Sequence, residues 1–425
     1  MNRSITKVRN GVSYRVSKKP TRQQIAVSDL TVGMHVVELD RPWEDSPFLF
    51  QGFLLEDEFD IQMVQDVCQW VYVEVIEEHW QAIDKPNAAP IKQVSRFVEK
   101  REMAQQLTQA NRTYRSAKLQ VKELFASAHL GQAMNFKAAQ QTVKECVSRV
   151  IDNPNAMLWL TRLKHQDEYT AEHSVNVCLL AIALGQQVDL APYELENLGM
   201  CGLMHDIGKM KVPSEILNKP GRLDPNEFAE MARHTTYAKQ LLMGRSDIYP
   251  GAVDVAYNHH ERLDGKGYPR GLDSSKLSLF TRIVTIVDAY DAMTSDRCYK
   301  RGMSSLDAMR ILNKNRGTQF DDELVRKFIT MIGMYPPGYL LEMSNGEVGI
   351  ILSADKDFKL KPRVILVLDP NKQPQPERII NLAYDPMDDR GQAYTPIGVY
   401  RSGAFGVNVA EFINRGLRIQ GNDAL

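Results

Sequence analysis

The stretch Gly202-Leu203-Met204-His205-Asp206-Ile207-Gly208-Lys209 determines how the rest of the chain is interpreted. A histidine beside an aspartate at the end of an apolar run predicts two metal-binding side chains at the edge of a core. Asp206 could bridge two metal ions with its two oxygens, whereas His205 would bind one ion. Lys209 could reach a phosphate or a leaving oxygen held at that metal. A single His-Asp pair is weak evidence, because this dipeptide is common by chance, so its company downstream decides its value.

Composition and charge exclude several classes of protein. With 425 residues, of which 43% are hydrophobic and 25% charged, the chain has the profile of a globular protein of two or three domains. Its net charge of −1 gives no overall basic field, so no nucleic-acid partner is expected. The five cysteines form no CxxC pair, which disfavours a disulfide framework and fits a reducing cytosol. Without a signal peptide or an apolar run of about 18 residues, a cytoplasmic protein with no membrane insertion is expected.

The order of patterned segments predicts a mainly α protein with small sheet-containing regions at both ends. β-Rich runs at Val36–Leu39 and Val71–Val75 enclose a short predicted helix. Long amphipathic segments follow until the breaker at 335–338, after which Asn345-Gly346 predicts a hairpin with a type I′ turn. The predicted regions are a flexible N-terminus at 1–22, a small α/β regulatory domain at 23–82, a linker with helices at 83–155, a helical-bundle catalytic domain at 156–338 and a small β-rich region at 339–425.

The helix predicted at 94–126 carries an apolar stripe from Met103 to Leu124 with alternating spacings of four and three residues. This is the heptad pattern of a helix with one apolar seam. In one interpretation the helix docks on its own chain. In the other it forms a homodimer or relays a signal, and the sequence leaves both open.

Five of the nine histidines lie between residues 173 and 260 of the helical region, and two aspartates accompany them. Well-separated ligands of this kind are expected when different helices face one cavity. Mixed imidazole and carboxylate ligation suits iron, manganese or zinc, and the lack of a thiolate disfavours a purely structural zinc site. Two such metals would activate a shared water and hold both oxygens of an in-line phosphoryl displacement. The candidate residues are His173, His205, Asp206, His234, His259, His260 and Asp288, with Asp291 one helical turn further on as support from behind.

These motifs resemble the HD-GYP phosphodiesterases, a subclass of the HD metal-dependent phosphohydrolases. The resemblance covers about Ala156 to Gly338. It is carried by His-Asp-Ile-Gly-Lys at 205–209, His-His-Glu-Arg-Leu-Asp-Gly-Lys-Gly-Tyr-Pro at 259–269 and Asp-Ala-Tyr-Asp-Ala-Met-Thr-Ser-Asp-Arg-Cys-Tyr-Lys at 288–300. The preceding region, with Leu30-Thr-Val-Gly-Met34, is similar to an N-terminal domain often attached to bacterial members of this family.

The resemblance implies hydrolysis of cyclic di-GMP to pGpG, with a second step to GMP left open, by a metal-bridging hydroxide that attacks phosphorus in line. It also implies two divalent transition metals, with iron expected first and manganese as the alternative. Asp206 would bridge them. By resemblance the first metal is held by His173, His205, Asp206 and Asp288, and the second by Asp206, His234, His259 and His260.

Three further features have implied roles at the substrate. Lys209 would stabilise the phosphate or protonate the leaving 3′ oxygen. Arg297 and Lys300 match phosphate-binding positions of the family, and the alternative is an exposed charged helix end. Gly267-Tyr268-Pro269 would shape the substrate pocket or dock a signalling partner, and by itself it would be an ordinary turn.

One departure from the family pattern concerns a third metal. Some members carry a glutamate four residues before the first ligand histidine, where this chain has Tyr169. We therefore expect two metals. Two other functions remain open: hydrolysis of another nucleotide, and an inactive signalling module that acts through partner proteins.

Overall fold

A computed structural model describes residues 4–9, 12–41, 46, 48, 52–55, 58–82, 95–161, 169–296, 302–353 and 360–414. The chain divides into two compact units, Met1–Val98 and Glu99–Leu425. The described residues are mainly helical, with one antiparallel sheet near each end, which confirms the predicted fold class. No helix in the described part of the chain is long and apolar enough to cross a membrane.

The first unit is a five-stranded antiparallel sheet with one helix, α1. Its strand order is β1-β2-β5-β3-β4. Side chains of alternating residues on β5, such as Val71 and Val73, enter a small core with Val36 of β3 and Val64 of α1. The elements are β1 Ser4–Arg9, β2 Val12–Ala26, β3 His35–Leu39, β4 Phe53–Leu54, α1 Glu58–Val67 and β5 Trp70–Ala82.

The segment 1–22 was predicted to be flexible, and its described residues form strands instead. β1 pairs with β2, and β2 pairs with β5 from Tyr14↔Ala82 to Ala26↔Trp70. Alternating Val12, Tyr14 and Val16 favour an extended strand. The high content of basic and polar residues led to the prediction of flexibility, but an antiparallel strand also tolerates such residues on a solvated face.

The remaining helices belong to the second unit, apart from the start of α2 at Ser95–Val98. Asp224 caps one of them, α8, through the amides of Asn226 and Glu227, as the capping-box pattern predicts. The helices are α2 Ser95–Leu130, α3 Phe136–Asp152, α4 Pro154–Leu160, α5 Tyr169–Gln187, α6 Pro192–Met204, α7 Ser214–Leu217, α8 Pro225–Ala232, α9 His234–Leu242, α10 Pro250–Asn258, α11 Leu279–Thr294, α12 Ser305–Lys314, α13 Asp322–Ile332 and α14 Val409–Asn414.

Helix α2 corresponds to the helix predicted at 94–126. Its stripe residues from Ala110 through Tyr114 and Val121 to Leu124 are buried within the chain. A seam that the chain already covers does not remain free for a second copy. The interpretation of a helix docked on its own chain therefore accounts for this part of the stripe, and the dimer seam does not.

The predicted β-rich region is a second five-stranded antiparallel sheet with the order β10-β6-β7-β8-β9. The predicted type I′ turn is wrong. Gly346 has a φ of +89°, Asn345 has none in this region, and the amide of Gly346 bonds the Met343 carbonyl. The hairpin thus has a three-residue loop with glycine at the left-handed position. The strands are β6 Leu340–Met343, β7 Val348–Ser353, β8 Arg363–Leu368, β9 Pro374–Asn381 and β10 Pro396–Tyr400.

Candidate metal centre

Five helices bring the predicted ligands to one buried point of the second unit. His173 lies on α5, and His205 and Asp206 directly follow α6. His234 begins α9, His259 and His260 follow α10, and Asp288 lies on α11. These residues are far apart in the sequence and meet only because the helices pack together. The structure therefore brings together the whole predicted set.

Two glycines allow the helices to approach closely enough. A Cβ on Gly202 would lie 3.0 Å from the Cα of Cys178, where α6 crosses α5. A Cβ on Gly208 would lie 1.9 Å from the carbonyl oxygen of His234, where the HD stretch meets α9. No other residue type fits at Gly208 without displacing α9. Both glycines belong to the stretch 202–209, and their place inside this motif is the only sequence signal of their role.

Asp206 lies between two sets of imidazoles. Its Oδ2 is 3.3 Å from Nε2 of His205 and 3.5 Å from Nε2 of His173. Its Oδ1 is 3.5 Å from Nε2 of His234 and 3.8 Å from Nε2 of His259. Each oxygen thus faces a different pair of ring nitrogens, which is the arrangement that a bridging carboxylate requires.

The remaining ligand atoms complete both sets. Asp288 Oδ1 lies 3.0 Å from Nε2 of His173 and 3.8 Å from Nε2 of His205. The ring of His260 lies 5.0 Å, centroid to centroid, from that of His234. Ligand atoms within 4.8 Å of one another form three groups: His173 with His205 and Asp206, His205 with His259 and Asp288, and His234 with His259 and His260.

The other ring nitrogen, Nδ1, of four histidines is held by an acceptor. A proton on Nδ1 that is donated outward leaves the Nε2 lone pair of a neutral ring facing the centre. The acceptors are Asp291 Oδ2 for His173 at 2.8 Å, the Gly202 carbonyl for His205 at 2.7 Å, the Met231 carbonyl for His234 at 2.7 Å and the Ala256 carbonyl for His259 at 3.2 Å. Asp291 thus contacts the ring nitrogen of His173 that faces away from Asp206 and Asp288.

Three imidazoles are neutral around pH 7. Burial, the largest cause, lowers the pKa of His234 to about 4 and that of His260 to about 3. Burial and the neighbouring imidazoles also hold the pKa of His259 well below its usual value. The neutral imidazole is the form that binds metals, so this half of the centre is ready to bind without losing a proton.

The half with the additional carboxylate differs. Burial would lower the pKa of His173, but hydrogen bonds to Asp288 and Asp291 outweigh it and raise that pKa to about 9. Burial would raise the pKa of Asp206, yet Lys209 and the imidazoles hold it well below its usual value. The pKa of Asp288 is also lowered against burial, first by the bond to His173. Both carboxylates are therefore ionised.

The donor atoms fit divalent transition metals. Among the described residues, the buried atoms His205 Nε2 and Asp206 Oδ1 have no hydrogen-bond partner. A buried polar atom without a partner is costly and needs an explanation, which a bound cation would provide. Imidazole nitrogen and carboxylate oxygen without thiolate suit iron, manganese or zinc. The cluster can thus hold metal ions.

The predicted substrate residues lie at the edge of the cluster where the structure describes them. Lys209 Nζ is 2.5 Å from Asp206 Oδ2. The Tyr268 ring stacks on that of His260, with centroids 4.7 Å apart at 29°. A Cβ on Gly267 would lie 2.4 Å from the Cα of Glu261, so glycine lets the loop lie against the segment after His260. Pro269 follows Tyr268 through a cis peptide bond.

Arg297 and Lys300 lie outside the described residues. The backbone on both sides is held by Arg401, which follows β10. Its Nη1 donates to the Gly302 carbonyl at 2.6 Å, and its Nη2 lies 3.3 Å from the Thr294 carbonyl and 3.0 Å from Asp296 Oδ1. Arg401 could not be predicted from the sequence, because it comes 99 residues after Gly302 and no local pattern connects the two regions.

Comparisons with known proteins agree with this geometry. The model of the HD domain family matches residues 155–324, which contain every predicted ligand. The model of a family described as a domain of unknown function, DUF3391, matches residues 22–139. The predicted combination of an HD-type region with an additional N-terminal domain is therefore confirmed.

Relatives define the family more closely. The chain is 35% identical over 389 residues to the cyclic di-GMP phosphodiesterase PA4108 of Pseudomonas aeruginosa, covering 88% of this chain and 92% of that protein. It is 39% identical over 160 residues to the 3′3′-cGAMP-specific phosphodiesterase 1 of Vibrio cholerae, covering 37% of this chain and 36% of that protein. Bd1817, an HDGYP protein of Bdellovibrio bacteriovorus, matches 73% of this chain and 99% of its own at a TM-score of 0.45 and 16% identity. The chain belongs to the HD-GYP family of HD-domain phosphodiesterases.

Proposed function

We propose that this chain hydrolyses cyclic di-GMP to linear pGpG with two divalent transition metals. One observation carries the proposal: the two oxygens of the buried Asp206 face separate sets of imidazole Nε2 atoms. The relative that matches most of the chain, PA4108, is named a cyclic di-GMP phosphodiesterase, which supports the substrate.

We assign the ligands to the two metals as the resemblance implies. Bound divalent metals would lower the pKa of a water molecule and neutralise charge on the phosphate. Iron is the first expectation and manganese the second, because the donors are nitrogen and oxygen. One metal would be held by His173, His205, Asp206 and Asp288, and the other by Asp206, His234, His259 and His260.

Lys209 has a position suited to the scissile phosphate. Its ammonium contacts Asp206 and is partly exposed, with 20% of its side chain accessible, so it lies at the boundary between the ligands and the solvent. A cation there can stabilise the charge that develops on the phosphoryl oxygens. It can also donate a proton to the leaving 3′ oxygen. Asp206 in turn keeps the ammonium at this position.

Recognition of the rest of the substrate is assigned to Arg297, Lys300 and the Gly267-Tyr268-Pro269 loop. The loop is fixed because the buried Glu261 carboxylate accepts the amides of Arg270 at 2.6 Å and Leu272 at 3.0 Å. A fixed tyrosine stacked on a ligand histidine can shape the pocket beside the metals. The alternative role of this loop is to dock a signalling protein.

The test uses the full chain purified without oxygen. It is loaded with Fe(II) or Mn(II), analysed for metal content, and incubated with cyclic di-GMP, with pGpG followed by chromatography. We expect two metal equivalents and pGpG as product, and we expect Asp206→Ala to lose both. Hydrolysis that persists in Asp206→Ala would exclude this site as the catalytic centre.

A second candidate is hydrolysis of another nucleotide. The 39% identity to a 3′3′-cGAMP-specific enzyme over 160 residues is the observation that favours it. A panel of cyclic di-GMP, 3′3′-cGAMP, pGpG and GTP separates the candidates by kcat/KM. Preference for cyclic di-GMP supports the first proposal, and preference for 3′3′-cGAMP replaces it. Nucleotide binding without any product would instead support a signalling module.

A further inference from the structure

We propose that Tyr114 of α2 and Asn176 of α5 are positioning residues for the metal ligand His173, and that they act through Asp291. The inference rests on the proposed metal site, because it assigns His173 to one of two metals. It adds residues that no motif contains, and Tyr114 lies outside the stretch that matches the HD domain.

A continuous chain of hydrogen bonds connects α2 with the ligand. The Tyr114 hydroxyl donates to Asn176 Oδ1 at 2.9 Å. The Asn176 amide nitrogen donates to Asp291 Oδ1 at 3.1 Å. The other oxygen of Asp291 accepts from His173 Nδ1 at 2.8 Å. Four side chains from three helices thus lead directly to the ring that faces Asp206 and Asp288.

Burial makes this series of hydrogen bonds rigid. Tyr114 is 4% exposed, Asn176 1%, Asp291 0% and His173 2%, so water does not compete for these bonds. Both ends of the Asn176 amide are used, which fixes its orientation because the oxygen must face the hydroxyl and the nitrogen must face the carboxylate. The Asn176 amide, which the Tyr114 hydroxyl orients, fixes Asp291 together with the Ser295 hydroxyl, which donates to Asp291 Oδ2 at 3.1 Å.

A second contact links the same two helices. Lys118, one turn after Tyr114, lies 2.5 Å from Oε1 of Glu172, the neighbour of His173 in the sequence. Both side chains are largely buried. Helix α2 therefore holds α5 at two points around the ligand. These α2 residues lie in the stretch that matches the domain of unknown function, so that stretch supplies support to the metal centre.

A purely structural pair would also be buried and hydrogen-bonded, so stability does not distinguish the two roles. Metal affinity does, because partners behind a ligand typically change it by about 10–100-fold. Tyr394 provides the matched control. It is a buried tyrosine that precedes β10 and packs in the core of the C-terminal sheet, and its hydroxyl donates to Glu347 at 2.6 Å, far in sequence from every ligand.

The experiment measures Mn(II) binding to the metal-free full chain by competition with a chromophoric chelator, for wild type, Tyr114→Phe, Asn176→Ala, their combination, and Tyr394→Phe. We expect Asn176→Ala to weaken one of two metal equivalents by about 10-fold or more and Tyr114→Phe by about 3–10-fold, as for partners behind a ligand. The second equivalent should keep its affinity. The double variant should resemble Asn176→Ala alone, because that substitution already interrupts the series of hydrogen bonds. Tyr394→Phe should bind both metals as wild type does.

Wild-type affinities in both Tyr114→Phe and Asn176→Ala would overturn the inference, as would equal weakening of both metals or a matching loss in Tyr394→Phe. If wild type binds two metals but does not hydrolyse cyclic di-GMP, the proposed function fails while the inference is still decided by the affinities. If wild type binds no metal, both fail. Because Tyr114→Phe removes only a hydroxyl group, it provides the result even where Asn176→Ala does not fold.

Discussion

Asp206 in the ligand cluster and Glu347 in the C-terminal sheet are both carboxylates that the chain buries almost completely. They differ in what surrounds them. Asp206 faces four imidazole nitrogens and one ammonium, and its Oδ1 has no donor among the described residues. Glu347 accepts from the Tyr394 hydroxyl at 2.6 Å, Asn345 Nδ2 at 2.7 Å, Gln375 Nε2 at 2.8 Å and Arg378 Nη2 at 2.9 Å.

The difference separates a structural acid from a functional one. Burial would raise the pKa of Glu347, but its donors hold that pKa at about 2, so it is ionised and fully compensated by protein groups. Asp206 is also ionised, but its neighbours include imidazole nitrogens whose lone pairs cannot donate a hydrogen bond to it. A buried anion that faces nitrogen lone pairs is complete only with a cation between them.

The largest expected effect is the loss of turnover when an amide replaces the carboxylate of Asp206. The same change at Glu347 is the comparison. Asp206→Asn should reduce turnover by more than about 10³-fold, because the bridging charge is lost. Glu347→Gln should keep both metals and turnover near wild type, because its hydrogen-bond partners belong to the region of the C-terminal sheet and include no predicted ligand. Elemental analysis and a pGpG assay measure both. Equal losses in the two variants would remove the distinction between the clusters.

A smaller effect is expected when His234 is displaced without changing Asp206. The Cβ of Gly208→Ala would clash with the His234 carbonyl, so α9 must move. Misplacement by about 1 Å can cost on the order of 100-fold in rate, so we expect about 10–100-fold slower turnover. Gly131→Ala is the control, because its Cβ would meet nothing and only its positive φ is strained. Unchanged kinetics in Gly208→Ala would show that α9 can adapt.

The two carboxylates should rank in the opposite order when the loss of the free energy of unfolding is compared instead of the loss of turnover. Glu347→Gln should lower the free energy of unfolding by about 2 kcal/mol, because it weakens several charge-assisted hydrogen bonds. In the metal-free protein, Asp206→Asn should cost less, because it relieves an uncompensated buried charge. The free energy of unfolding is measured by urea denaturation, with hydrogen exchange in strands β6–β9 as the local probe. A larger loss in Asp206→Asn would contradict the comparison.

The smallest effect is a pH dependence that belongs to Glu347. Its folded pKa of about 2 lies below the usual 4.5, so its stabilisation is complete above pH 4.5 and is lost as the pH falls through 2. The difference in urea midpoint between wild type and Glu347→Gln should be constant from about pH 7 to 5 and should shrink between about pH 4 and 2. A difference that does not change with pH would show that the charge contributes nothing.

Local patterns were sufficient for much of the molecule. The ligand histidines and Asp288 were predicted because short motifs such as those at 205–209, 259–269 and 288–300 carry them, and helix caps such as Asp224 are encoded within four residues. Contacts between distant segments were not predicted, because the pattern of residues within one segment does not indicate which other segment it contacts. The examples are Tyr114 with Asn176, Arg401 with Thr294, and the donors around Glu347.

Arg401 has a consequence for how the chain can be divided. The stretch that matches the HD domain ends at residue 324, well before the strand that delivers this guanidinium. A fragment cut at that boundary would retain every ligand, yet the carbonyls of Thr294 and Gly302 would exchange a fixed cation for water. Sequence similarity therefore delimits the HD domain, whereas the unit that must be expressed, purified and crystallised together extends to the C-terminal sheet.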